Sequence, residues 1–160
     1  MENILNKEAV KRVQNKLDEY NKEIRAIVLK SSARTAQQAA ESLKTEVGSI
    51  VKSLLFKTED GFVLCLISGD KKCSLNKLKK IKDQKDISMA DPQTVKEITG
   101  FTIGGVSPIG HLQEIEIFVD EQLSRFTNIF AAAGHPNCIF KIDFDNLVKI
   151  TKGAVKNITE

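Results

Sequence analysis

The chain has 160 residues, of which 41% are hydrophobic and 28% charged. That composition excludes disordered, collagen-like and coiled-coil classes and suits one domain, residues 1–160, burying about 70% of its unfolded surface. Lys and Arg outnumber Asp and Glu by 24 to 21, and a formal net charge of +3 does not by itself demand a nucleic-acid partner. No apolar run approaches the ~20 residues of a membrane-spanning helix, and the opening MENILNKEAVKR lacks the unbroken apolar stretch of a secretory signal. Cys65, Cys73 and Cys138 are odd in number and form no C-x-x-C pair, which predicts free thiols in a reducing, intracellular compartment.

Leu5, Val10, Val13, Leu17 and Tyr20 recur at helical spacing and predict an amphipathic first helix. Arg25 to Leu29 reads as a short strand, followed by a polar turn at 30–32. Thr35 with Gln38 has the spacing of a capping box and opens a second helix through Leu43. Ser53 to Lys57 and Phe62 to Ser68 flank Thr58-Glu59-Asp60-Gly61, predicting an antiparallel hairpin. Ser74 caps a short helix through Ile81, and Asp91-Pro92 starts another that Gly100 closes, with a strand-like Ile87 to Met89 between them. Thr102 to His111 holds three glycines and a proline and fits no regular element. Glu114 to Val119, Asn128 to Ala133 and Cys138 to Ile142 read as strands, with a turn at Gly134 to Asn137. Asp143 caps a last helix ended by Gly153, and Ala154 to Ile158 returns as a strand. Irregular helix placement among hairpins predicts an α+β, mixed-sheet architecture and not a doubly wound one.

The glycines from Gly104 to Gly110 can present backbone N–H groups to a ligand, with Pro108 stiffening the loop. Gly105 to Gly110 is followed by His111 and Leu112, so a phosphate-binding P-loop lacks its lysine and hydroxyl. Gly105-Val106-Ser107-Pro108-Ile109 fails the nucleophile-elbow pattern at its last position. His111, His135 and Cys138 match no compact metal-ligand spacing, so no metal or other cofactor is expected. Lys57 ends an apolar strand and reads either as an exposed turn lysine or as a cation facing a cleft. Between Lys71 and Asp86 seven lysines face two aspartates, which suits either a solvated helix face or phosphate contact.

Taken together, TAQQAA (35–40), KSLLFK (52–57), SGD (68–70), MADP (89–92), TGFTIGGVSPIGH (99–111), FVDEQL (118–123) and AAAGHPN (131–137) resemble the YbaK/ProX family of aminoacyl-tRNA deacylases, relatives of the editing domain inserted in prolyl-tRNA synthetase. The resemblance implies a barrel-like mixed-sheet domain flanked by short helices. It implies hydrolysis in trans of the ester of mischarged tRNA, tRNA(Pro) foremost, in the cytoplasm and without metal. It assigns catalysis to Lys57, Gly104 and Gly105, and substrate contacts to Ser68, Val106, Ser107, Pro108, Gly110, His111, Gly134, His135 and Pro136. With the tRNA acceptor end as partner, Lys71, Lys72, Lys77, Lys79 and Lys80 become phosphate contacts, and a prolyl-tRNA or other synthetase becomes a second partner. Ser107 is expected to line the pocket and not to act as a nucleophile. The rival expectation is a non-catalytic module of the same fold that binds tRNA or a synthetase.

Overall fold

The structure, a computed structural model, describes residues 3–31 and 33–160; the turn expected at 30–32 thus includes Ser32, which lies outside the described residues. Helix α1 (Glu8–Tyr20) buries Val10, Val13 and Leu17 of the expected stripe, whereas Leu5 falls in a 3₁₀ turn before it (Ile4–Asn6) and, like Tyr20, is exposed. Strand β1 (Ile27–Val28) is shorter than expected, and α2 (Ala36–Leu43) begins at Thr35, whose Oγ1 accepts from Gln38 N–H at 3.1 Å. The Gln38 amide oxygen reaches back to Arg34 N–H at 3.0 Å, one residue earlier than in a strict capping box.

The hairpin of β2 (Val51–Lys57) and β3 (Phe62–Ser68) forms in full register, from Val51 opposite Ser68 to Lys57 opposite Phe62. Helix α3 (Leu75–Lys82), the short β4 (Ser88–Met89) and α4 (Pro92–Thr99) follow, with Ser74 and Asp91 accepting the capping bonds at 3.2 and 2.8 Å. Then come β5 (Glu116–Asp120), β6 (Ile129–His135), β7 (Cys138–Ile142), α5 (Phe144–Thr151) and β8 (Ala154–Lys156).

Further expectations shift: β5 begins two residues after Glu114, and β8 ends two residues before Ile158. Strand β6 runs through Gly134 and His135 across a bulge and leaves only Pro136 and Asn137 as the turn. Helix α5 ends on a left-handed Lys152, one residue before Gly153. Short 3₁₀ turns at Val47–Ser49 and Glu121–Arg125 carried no clear sequence signal.

The strands make two sheets, ordered β4-β2-β3-β5-β8 and β1-β7-β6, with β3, β5 and β8 parallel. Among the described residues a single bridge, Ile50 to Phe130, links the sheets, and neither closes on itself. The mixed α+β expectation holds in this form; the barrel-like part of it finds no support in two open sheets.

Strand β3 is covered on both faces, which is why it reads as an unbroken apolar run. Leu64 and Leu66 pack toward α1 and the second sheet, and Val63, Cys65 and Ile67 pack toward Leu78 of α3. A third cluster, with Ala39, Ala40, Ile50 and Ile139, sits beneath α2. Among the described residues no helix is long and apolar enough to cross a membrane, and all three cysteines are free.

Candidate active site

Where the bridge at Ile50 joins the sheets, the two layers part around a mostly apolar cavity of about 390 Å³. Alternation along β6 turns Phe130 and Ala132 into it while Ala131 and Ala133 stay in the core. Small alanines on α2, Ala36 and Ala39, keep the opposite wall open. The polar groups on this surface are few: Arg34, Thr35, Lys52, Ser53 and the backbone at Gly104.

Ser53 is the most informative of them. Its Oγ is buried and has no hydrogen-bond partner among the described residues, a cost that a bound polar ligand would relieve. Beside it, Lys52 is half-buried and donates from Nζ to the Lys71 carbonyl at 2.7 Å. Burial pushes its ammonium below the usual lysine range, with the Asp70 carboxylate opposing that shift. Gly104 adopts φ of +93°, a left-handed backbone that glycine takes without strain, and packs near Pro136.

The structure divides the expected site residues into groups. Gly104, Val106 and Pro136 line the cavity. Gly105 does not: it presses against the His135 backbone, and its N–H is committed to the Thr102 carbonyl at 2.9 Å. His135 and Gly134 also lie off the cavity. Gly134 passes so close to α1 that a Cβ would sit 2.8 Å from the Ala9 carbonyl, and His135 Nδ1 accepts from Asn137 N–H at 3.0 Å.

Pro108, Gly110 and His111 border a different, open groove of about 1010 Å³ between α1, the 108–118 segment and α5. The loop changes sides at Ser107, which is fully buried, its Oγ accepting from Ile109 N–H at 3.3 Å. The Ser107 hydroxyl therefore shapes a turn.

Lys57 and Ser68 are also elsewhere. Lys57 is exposed at the far end of β2, opposite Ser88 of β4, and is not part of the cavity. Ser68 is buried and donates to the Gly48 carbonyl while accepting from Arg125 at 2.9 Å, and the same guanidinium grips Asp70 at 2.9 and 3.2 Å. The SGD segment is thus a joint in the scaffold.

Of the lysines assigned to phosphate, Lys77 is tied by Nζ to the Thr159 carbonyl at 2.6 Å and to Asn157 at 3.0 Å. The side chains of Lys71, Lys72, Lys79 and Lys80 have no hydrogen bond or ion pair among the described residues.

His111 stacks edge-on to Phe101 and shares a 2.7 Å hydrogen bond between Nε2 and the Ser107 carbonyl. Burial pushes its imidazole below the ordinary histidine value, the Ser107 carbonyl opposing and Arg12 adding to the effect. The unfolded chain therefore binds this proton more tightly than the folded one. The stability His111 confers is whole above about pH 6.5 and is lost as the pH falls from there toward the lower folded value. Urea melts at about pH 7.5 and 5.5 should show a loss in the wild-type protein that His111→Gln reduces; an equal loss in both would remove His111 as its source.

Among the described residues no cluster of His, Cys, Asp or Glu is placed to hold a metal ion. The arrangement offers instead an apolar chamber, two cations, one orphaned hydroxyl and a glycine backbone.

Comparison with known proteins gives this arrangement a family. The aminoacyl-tRNA editing domain matches residues 30–150, and the chain belongs to that family. Protein YwhH of Bacillus subtilis is 33% identical over 135 residues, 84% of this chain and 85% of that one. The proline–tRNA ligase of Thermosipho melanesiensis is 34% identical over 111 residues, 69% of this chain, which spans only 19% of the ligase. A crystal structure described as a candidate trans-editing enzyme for prolyl-tRNA synthetase superposes with a TM-score of 0.91 at 35% identity, covering 96% of this chain and 98% of that one.

Proposed function

We propose that the chain works as one unit, in the cytoplasm, as an aminoacyl-tRNA deacylase that hydrolyses the ester of mischarged tRNA in trans. The observation that carries this reading is the cavity of the editing domain, whose mostly apolar lining includes Lys52, Gly104 and a Ser53 hydroxyl with no partner among the described residues. An ester is neutral until water attacks. Water then adds to the carbonyl carbon, negative charge gathers on the carbonyl oxygen, the bond to the ribose oxygen breaks, and that oxygen takes up the proton that the attacking water gives up.

Donors aimed at the developing oxyanion lower this barrier most where water is scarce. In this reading the donors are the Ser53 hydroxyl, the Gly104 N–H and the Lys52 ammonium, which would exchange its bond to the Lys71 carbonyl for one to the substrate. The role assigned by resemblance to Lys57 passes to Lys52, and Gly105 keeps only a shaping role. Alanine walls with Val106 and Pro136 limit the size of the amino acid admitted. Such a second sieve answers a selection problem, because one methylene is worth only about 1–3 kcal/mol in a synthetase pocket.

Lys71, Lys72, Lys79 and Lys80 are the phosphate contacts in this reading, and the partner is the acceptor end of tRNA, with a prolyl-tRNA or other synthetase as supplier.

The test is a deacylation panel with tRNA(Pro) charged with alanine, cysteine or proline, together with serine- and threonine-charged tRNAs. Selective release of a non-cognate amino acid is expected. The Ser107→Ala protein should retain activity within about threefold, since its hydroxyl only braces a turn. Binding of tRNA without any release would replace the enzyme by a binding module.

A further inference from the structure

We infer that Arg34, Met89 and Ile103 form the subsite for the terminal nucleotide of the tRNA 3′ end, with the base between Met89 and Ile103 and its phosphate on Arg34; this rests on the deacylase reading above. All three side chains border the cavity, and they come from three separate segments: the approach to α2, strand β4, and the loop after α4. Met89 is 57% exposed and Ile103 59%, and among the described residues only these two of the large apolar side chains exposed to this degree lie on the cavity. Exposed apolar area gathered at the rim of a pocket marks a surface meant to be covered.

The Arg34 guanidinium has no hydrogen bond or ion pair among the described residues. The other three arginines are engaged: Arg12 with Glu8, Arg25 with Asp18 and Arg125 with Asp70. Thr35 and Ala36, the cap and first residue of α2, border the cavity too, so the N–H end of that helix adds positive potential near Arg34.

Covalent connectivity then fixes who sits where. With the ester carbonyl at Ser53 and Gly104, the ribose must point outward, and the base and the 5′ phosphate attached to it must meet the rim. A flat base offers apolar faces and a phosphodiester offers charge; the rim presents two apolar side chains and a guanidinium with no partner among the described residues. Arg34 also holds a phosphate in a planar fork, which a lysine does not.

The experiment compares binding of two acceptor-stem microhelices, one ending in CCA and one ending in CC, by fluorescence anisotropy between about 50 and 200 mM KCl. Wild-type protein should prefer CCA by about tenfold or more, the scale of one stacked base. The Met89→Ser/Ile103→Ser variant should lose most of that preference and keep its salt dependence. Arg34→Ala should flatten the slope of log affinity against log salt by about 0.7, the value of one single-stranded phosphate, while Arg34→Lys restores the slope.

Equal binding of CCA and CC by the wild type, or variants that keep both preference and slope, would overturn the inference. Because no readout requires turnover, a protein that prefers CCA through these residues yet releases no amino acid would refute the deacylase reading and leave the subsite standing.

Discussion

Lys52→Met is expected to lower the single-turnover rate of ester hydrolysis by at least about a hundredfold, the cost of removing one donor from an oxyanion site, while Lys57→Met stays within about twofold of wild type. The two lysines bound the same apolar strand and differ in what lies around them. Lys52 borders the cavity, is half-buried, and has an ammonium depressed by that burial. Lys57 is exposed beside Ser88. A cation in a partly dry site acts on developing charge far more strongly than one in bulk water. Methionine keeps much of the length and apolar stem of lysine, so both variants should fold.

The pH profile separates a charge role from a packing role. If the ammonium form is the active one, the background-corrected rate should fall on the alkaline side sooner than an ordinary lysine near 10.4 would dictate. The acid limb is unaffected, since protonated Lys52 is already the working species there. A silent Lys57→Met with a full-rate Lys52→Met would remove both lysines from the chemistry; full loss in Lys57→Met alone would restore the assignment that resemblance suggested.

That pair also shows which kinds of information lie on the surface of the sequence. Capping residues Thr35, Ser74, Asp91 and Asp143 all bond as their spacing foretold, because a cap is decided within three residues. The hairpin at 51–68 is likewise local, an apolar run on each side of Asp60-Gly61. Which end of β2 faces the cavity is not local. It depends on β4 pairing at Lys57 and on the distant Phe130 bridging at Ile50.

The glycine loop was legible as irregular, yet nothing in its composition says that it crosses from one cavity to another at Ser107. Ser53 left a fainter signal: it falls on the same alternating face as Val51 and Leu55, where a hydroxyl needs a reason to be. Arg34 left none, since its meaning lies in having no side-chain partner among the described residues.

Gly69→Ala should be the most damaging small substitution in the chain, lowering stability by about 2–3 kcal/mol or more and the melting temperature by roughly 5–12 °C. A methyl group there would collide with the Val47 carbonyl oxygen and approach the Ile50 carbonyl and Ala36 Cβ to 3.1 Å, so backbone must move. Ser68→Ala should cost less, about 1–2 kcal/mol, by leaving the Gly48 carbonyl without its donor. Asp70→Asn should cost less than about 1 kcal/mol, because its pair with Arg125 is a third open to solvent on both sides. Urea melts of the three variants test that order.

The order bears on function because this joint stands between the two candidate roles for Ser68. A stability loss with an unchanged KM marks a brace; an unchanged melt with a raised KM would mark a substrate contact. The joint also leads directly to Lys71, whose carbonyl holds the Lys52 ammonium. A shift of the backbone at Gly69 should therefore reach the chemistry, lowering kcat in the fraction of Gly69→Ala that remains folded, whereas Asp70→Asn leaves it nearly intact.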